Sequence, residues 1–153
     1  MIPTWVMSEP TGHETGEYLA LDLGGTNLRV CQVTLKEKKF DIIQTKCRIR
    51  EELKTGSAQE LWDFVADCLQ QFIERHHGHM TDIMMDKIPL GFTFSYPVTQ
   101  HYIDEGILQW WTKGFDIADV EGQNVVPMFE AALSQRVSRS HCQTSNYYKI
   151  PIR

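Results

Sequence analysis

Apolar and polar residues change their spacing along this chain in a way that divides it into elements. Tyr18 to Leu23 is apolar except for Asp22, and Leu28 to Leu35 is rich in Val and Leu with Arg29 and Gln32 interleaved. Both patterns predict strands. Between them, Gly24-Gly25-Thr26-Asn27 supplies permissive backbone and a short polar turn, the composition of a hairpin connection. Lys36-Glu37-Lys38-Lys39 reads as a second, charged turn before Phe40 to Ile49, where Phe40, Ile42 and Ile43 predict a third strand. Three adjacent antiparallel strands are expected.

From Ser57 the period changes. Leu61, Phe64, Val65, Cys68, Leu69, Phe72 and Ile73 recur at helical spacing, so one apolar stripe should lie on the sheet. Ser57 and Glu60 form an S-x-x-E capping box, in which hydroxyl and carboxylate each satisfy a backbone N–H at the helix start. A polar linker spans roughly Gly78 to Lys87, and Ile88 to Phe94 then predicts a strand that stops at Ser95-Tyr96-Pro97, where proline has no ladder donor. Asn124 is placed to cap a further helix with Pro127 in its first turn. Residues 1–17 carry Pro3, Pro10, Gly12 and Gly16 and predict no regular element.

Length and charge narrow the function. A chain of 153 residues with 42% hydrophobic content builds one core at most. A net charge of −5 offers no basic face for phosphates, which argues against nucleic acid as a partner. No apolar run approaches the roughly 20 residues that cross a bilayer, and no basic-then-apolar leader is present, so neither membrane insertion nor secretion is expected. Cys31, Cys47, Cys68 and Cys142 are scattered without a C-x-x-C pair, as in a cytoplasmic protein with reduced thiols. His76, His77 and His79 fall at the expected end of the long helix, where cationic groups suit the carbonyl-rich terminus better than a metal does.

Beyond Glu130 there is no Asp or Glu, while Arg136, Arg139, Lys149 and Arg153 remain. This shift predicts a solvated, disordered tail. A basic lipid- or RNA-binding arm would need an amphipathic pattern that these four spaced cations lack.

Two groups of residues can carry chemistry. Asp22 ends a strand immediately before Gly24, Gly25, Thr26 and Asn27. Glycines let backbone N–H groups approach phosphate oxygens, Thr26 and Asn27 add hydrogen bonds, and Asp22 can hold Mg²⁺ through water. A ligand-free hairpin turn accounts for the same spacing equally well, and neither a P-loop nor a dinucleotide fingerprint occurs. Ser95, Thr112 and Lys113 form the second group, in loops that follow an apolar strand or the Trp110-Trp111 pair. Hydroxyl and ammonium groups suit a polyhydroxylated ligand. On pattern alone, however, the tryptophans read as core and Lys113 as a surface charge.

Three long segments resemble the fungal-type hexokinases, within the superfamily of sugar kinases, actin and heat-shock ATPases. They are Leu21 to Val30 (LDLGGTNLRV), Leu90 to Pro97 (LGFTFSYP) and Leu108 to Phe115 (LQWWTKGF), in family order, within a match from about Ile2 to Leu133. The resemblance implies an α/β fold: the small lobe of a ribonuclease-H-like, actin-like sugar kinase, a mixed sheet with flanking helices. It implies transfer of phosphate from ATP, with Mg²⁺, to the 6-hydroxyl of glucose or a similar hexose such as fructose or mannose. Asp22, Gly24, Gly25, Thr26, Asn27 and Arg29 then belong to the first phosphate motif, with Asp22 toward the metal. Ser95, Thr112 and Lys113 become sugar contacts.

The family's general base is the Asp of an Asn-Asp pair, and no such pair occurs in this sequence. The catalytic base is therefore unassigned, and the later sugar-binding glutamates, second phosphate motif, adenosine pocket and a preceding N-terminal helix are likewise missing. Residues 1–133 are expected to form a partial small domain, and residues 134–153 an aberrant, out-of-frame or read-through tail. An inactive kinase fragment is the main expectation. A non-catalytic sugar-binding or regulatory fragment, with an unknown protein partner, and a fragment without a stable fold are the competing ones.

Overall fold

A computed structural model of the chain describes residues 9, 11–77 and 88–138. Strands β1 (Gly16–Leu23), β2 (Asn27–Lys36) and β3 (Lys39–Arg48) form the predicted antiparallel meander. Helices α1 (Glu51–Lys54) and α2 (Ala58–His77) follow, then β4 (Leu90–Phe94), which pairs parallel with β1. The sheet is mixed, in the order β3-β2-β1-β4. A two-stranded ribbon of β5 (Val98–Thr99) and β6 (Ile107–Leu108) precedes helix α3 (Val125–Ser138).

Alternation along the strands decides which face is covered. Leu19, Leu21 and Leu23 of β1 lie in register with Leu90, Phe92 and Phe94 of β4, and Leu21 and Leu23 also oppose Val30 and Leu28 of β2. All eight are buried against the helices. Trp62 of α2 sits between layers, its ring centroid 6.3 Å from Phe92, 6.1 Å from Phe94 and 6.0 Å from Phe129 of α3. The buried stripe of α2 is therefore rotated from the expected one: Trp62 and Ala66 join it, whereas Phe64 and Ile73 are only half-buried. The rotation follows from α3, which packs beside α2 and draws in the flank that a helix meeting only the sheet would leave out.

Both helix starts form as predicted. Ser57 N–H and its hydroxyl donate to Glu60 Oε2 at 2.8 and 2.9 Å, and Glu60 N–H donates to Ser57 Oγ at 3.2 Å. Asn124 Oδ1 accepts from the N–H of Val126 at 3.2 Å and of Gly106 at 3.1 Å, so it also staples the ribbon to α3. His76 and His77 close α2, and His77 Nε2 lies 2.5 Å from Oε1 of the buried Gln32. No group of three or more potential metal ligands occurs among the described residues. His79 and the expected 78–87 linker lie outside them.

Helix α3 crosses the expected boundary at Leu133 and continues to Ser138. Arg136 is half-buried and pairs with Asp67 of α2 at 2.8 Å and with Asp63 at 3.5 Å. The first part of the cationic stretch is thus built into the helical layer, and the acidic face of α2 is the reason. The remainder of 134–153 lies outside the described residues.

Candidate functional site

The β1–β2 register places the first group. Asp22 is the cross-strand partner of Arg29 on the face away from the helices, and Arg29 Nη1 donates to Asp22 Oδ2 at 2.6 Å. Both side chains are partly solvated, so the pair contributes at most about 1 kcal/mol of stability. Its consequence is geometric: the carboxylate is held at the mouth of the turn. The parallel register of β1 with β4 then delivers Ser95 to the same place. Ser95 N–H donates to Leu23 O at 3.3 Å and its hydroxyl to Asp22 Oδ1 at 3.3 Å.

The ribbon and the loop after it bring in the third segment. Gln109 N–H donates to Pro97 O at 2.9 Å. Trp111 is anchored by its N–H to Glu121 Oε1 at 2.7 Å and by its indole N–H to Ile117 O at 3.0 Å. Its ring stacks on Phe115 and meets Tyr96 edge-on at 5.1 Å. Trp110, in contrast, is exposed, so only one of the two tryptophans packs beneath the loop. On that support Lys113 adopts a left-handed backbone with φ 58°. Its ammonium donates to Ser95 O and lies 5.0 Å from the Tyr96 ring centroid.

The turn and this loop touch. A Cβ added at Gly25 would sit 2.8 Å from Lys113 Cβ, so glycine is required there by close approach. Positive φ is not the reason, because neither Gly24 nor Gly25 adopts it. The turn is also self-bonded, with Gly24 N–H donating to Asn27 O at 3.1 Å, which leaves Gly25 and Thr26 as its candidates for donating to a phosphate. Thr112 is half-buried, and its carbonyl accepts from Phe115 N–H at 3.1 Å.

Tyr96 joins both halves. Its hydroxyl donates to Gly24 O at 3.0 Å while its ring underlies Lys113. Burial pushes the phenol well above its ordinary value, so it remains a donor. Lys54 supports the loop from α1: its carbonyl accepts from Asp116 N–H at 2.8 Å, and its ammonium pairs with Glu51 at 2.9 Å. Sequence reasoning missed Tyr96, Lys54 and Glu121 as supports. Tyr96 stands next to a predicted site residue, but nothing in the sequence announces that α1 lies under Gly114.

Asp22 is the only carboxylate among the candidate residues, and both its oxygens are engaged, by Arg29 and by Ser95. Such an arrangement suits Mg²⁺ held through water and by nucleotide phosphates, which is how this ion is usually bound. A metal centre built wholly from protein ligands does not fit.

The hexokinase family model matches residues 1–145. The chain belongs to the hexokinase family. It is 60% identical over 135 residues to the hexokinase of Emericella nidulans, covering 87% of this chain and 27% of that protein. It is 53% identical over 137 residues to the hexokinase of Schwanniomyces occidentalis, covering 89% of this chain and 28% of that one. Among solved structures it is similar to the Schistosoma mansoni hexokinase complexed with glucose, with a TM-score of 0.81, 38% identity, and coverage of 99% of this chain and 32% of that chain. The chain thus spans little more than a quarter of the length of the curated relatives it matches. Fold and family agree with the sequence-based expectation of an α/β sugar kinase lobe with a mixed sheet and flanking helices.

Proposed function

We propose that this chain supplies the phosphate turn and part of the sugar wall for ATP-dependent phosphorylation of a hexose at its 6-hydroxyl. One observation carries the reading: Ser95 lies between Asp22 of the turn and Lys113 of the loop, bonded to both. In this reading Ser95, Thr112 and Lys113 donate to sugar hydroxyls and orient the attacking oxygen. Gly25 and Thr26 offer N–H groups to the transferred phosphate, with Asn27 beside them. Asp22 orients hydrated Mg²⁺, and Arg29 supplies positive charge beside it. Positioning and charge are most of what phosphoryl transfer requires of a protein.

ATP and Mg²⁺ are the implied cofactors; when bound, ATP would supply the electrophilic phosphorus and Mg²⁺ would offset the charge of its phosphates. The solved relative complexed with glucose supports glucose as the hexose; fructose and mannose follow only from the family resemblance. The scattered cysteines suit a cytoplasmic setting, and no helix among the described residues is long and apolar enough to cross a membrane.

The group that accepts the 6-hydroxyl proton is not among these residues. A general base typically contributes ~10²–10⁴-fold, so the 153-residue chain should orient sugar without turning it over. A coupled assay for glucose 6-phosphate with glucose, ATP and Mg²⁺ tests this against a full-length hexokinase control. The predicted result is no turnover. Turnover that Lys113→Ala abolishes would show that another residue of this chain supplies the base.

A further inference from the structure

One short segment touches both halves of the proposed site. Strand β3 ends at Arg48, which pairs with Asn27, and the next residue, Ile49, donates its N–H to Thr26 O at 2.9 Å. At the end of α1, Lys54 O accepts from Asp116 N–H at 2.8 Å, in the loop that carries Lys113. Phosphate turn and hexose loop are thus hydrogen-bonded to the two ends of residues 49–54.

The stretch between those bonds is held firmly. Ile49 and Leu53 are buried in the core, and Leu53 N–H donates to Arg50 O at 3.1 Å across the single turn of α1. No side chain caps this helix, so its place is set by what it packs against. Lys54 packs against the loop. It is only 8% exposed, and its Cδ lies 4.0 Å from where a Cβ on Gly114 would stand. Its ammonium sits 6.0 Å from the Phe115 ring centroid and pairs with the exposed Glu51. The stem covers the loop while the charge is led out to the surface, as long cationic side chains do over apolar groups.

At the other end the anchor is one-sided. The Thr26 carbonyl takes the Ile49 N–H, which fixes the peptide that follows Thr26 and leaves the Thr26 N–H for the phosphate contact suggested above.

We propose that residues 49–54 are a strap that sets the phosphate turn against the hexose loop, with Lys54 as its positioning residue. What turn and loop do rests on the function proposed above; the strap itself rests on the contacts. Order imposed on the loop passes through α1 to Thr26, beside the direct approach of Gly25 to Lys113.

Amide hydrogen exchange on the 153-residue chain, followed by NMR, reads both ends, because Asp116 and Ile49 are the donors. Lys54→Ala removes the stem and should speed exchange at Asp116 and Ile49 together by about tenfold, with the strand residues Leu21 and Val30 unchanged. Faster exchange at Asp116 alone is what a merely local support would give, and it would overturn the strap. Equal speeding at Leu21 and Val30 would mark a general loss of stability and overturn it too. Lys54→Met keeps the stem without the charge and should hold both amides within about threefold of wild type; loosening as great as in Lys54→Ala would contradict the role given to the stem. Glucose added to the wild type should slow both amides, and in Lys54→Ala the effect should no longer reach Ile49. Since sugar-free exchange already decides the strap, wild-type amides that ignore glucose would count against the proposed function alone.

Discussion

At Lys113 a non-glycine residue sits at φ 58°, a conformation that persists only where surrounding contacts determine it. Here those contacts are visible: the ammonium on Ser95 O, the Tyr96 ring beneath, and the backbone of Gly25 against the side-chain stem. The Gly25 contact yields a sharp prediction. In Gly25→Ala the new methyl would lie 2.8 Å from Lys113 Cβ, an atom that cannot swing away without moving its backbone. Overpacking of this kind typically costs about 1–3 kcal/mol. Chemical denaturation should show that loss, and amide NMR shifts should change at Ser95 and Lys113 as well as in the turn. Shifts confined to residues 24–27 would mean that turn and loop are not coupled.

Among the elements, α2 is the one whose start was most legible, because the Ser57–Glu60 box forms reciprocally: Glu60 Oε2 accepts from the Ser57 N–H and hydroxyl, and Ser57 Oγ accepts from the Glu60 N–H. Ser57→Ala should destabilise the chain by ~1 kcal/mol at neutral pH. The effect should depend on acid. Hydrogen bonds from the Ser57 N–H and then from its hydroxyl lower the Glu60 pKa below its ordinary 4.5. A carboxylate depressed in the folded state stabilises fully above its ordinary value, and that contribution disappears as pH falls through the lowered one. Thermal melts at decreasing pH should therefore bring wild type and Ser57→Ala together; a gap that stays constant into acid would argue against the box.

The meander was equally readable, since Leu19, Leu21 and Leu23 alternate with residues of the open face. Elements of two or four residues were not readable. The β5–β6 ribbon and α1 are shorter than any period that could reveal them, and they are held by tertiary hydrogen bonds such as Asn124 to Gly106, Leu108 to Gln123 and Lys54 to Asp116. Loop placement depends on those contacts. The sequence could therefore nominate Ser95, Thr112 and Lys113 without indicating that Ser95 would bond to both Asp22 and Lys113. The three exposed apolar residues Phe40, Ile42 and Ile43 marked a strand correctly but gave no hint that it would be an edge.

For the molecule as a whole, α2 and α3 form one layer on one face of the sheet, joined through Phe129 and Arg136 of α3. The cationic stretch that composition assigned to a tail from residue 134 begins within that layer. Arg136→Ala removes a half-buried guanidinium from Asp67 and Asp63 and should cost about 1 kcal/mol, read as a lowered denaturation midpoint. An unchanged midpoint would mean that the end of α3 contributes nothing to the fold.

The same sheet end carries the proposed site, and the central question is whether turn and loop meet a hexose together. The most direct measurement is a glucose titration of the isotopically labelled chain followed by amide NMR. The account predicts saturable shifts at Ser95, Thr112 and Lys113, transmitted to Gly24 and Gly25 and largely lost in Lys113→Ala. Shifts that are absent, that ignore the Lys113→Ala substitution, or that appear equally with a sugar-free polyol would contradict it.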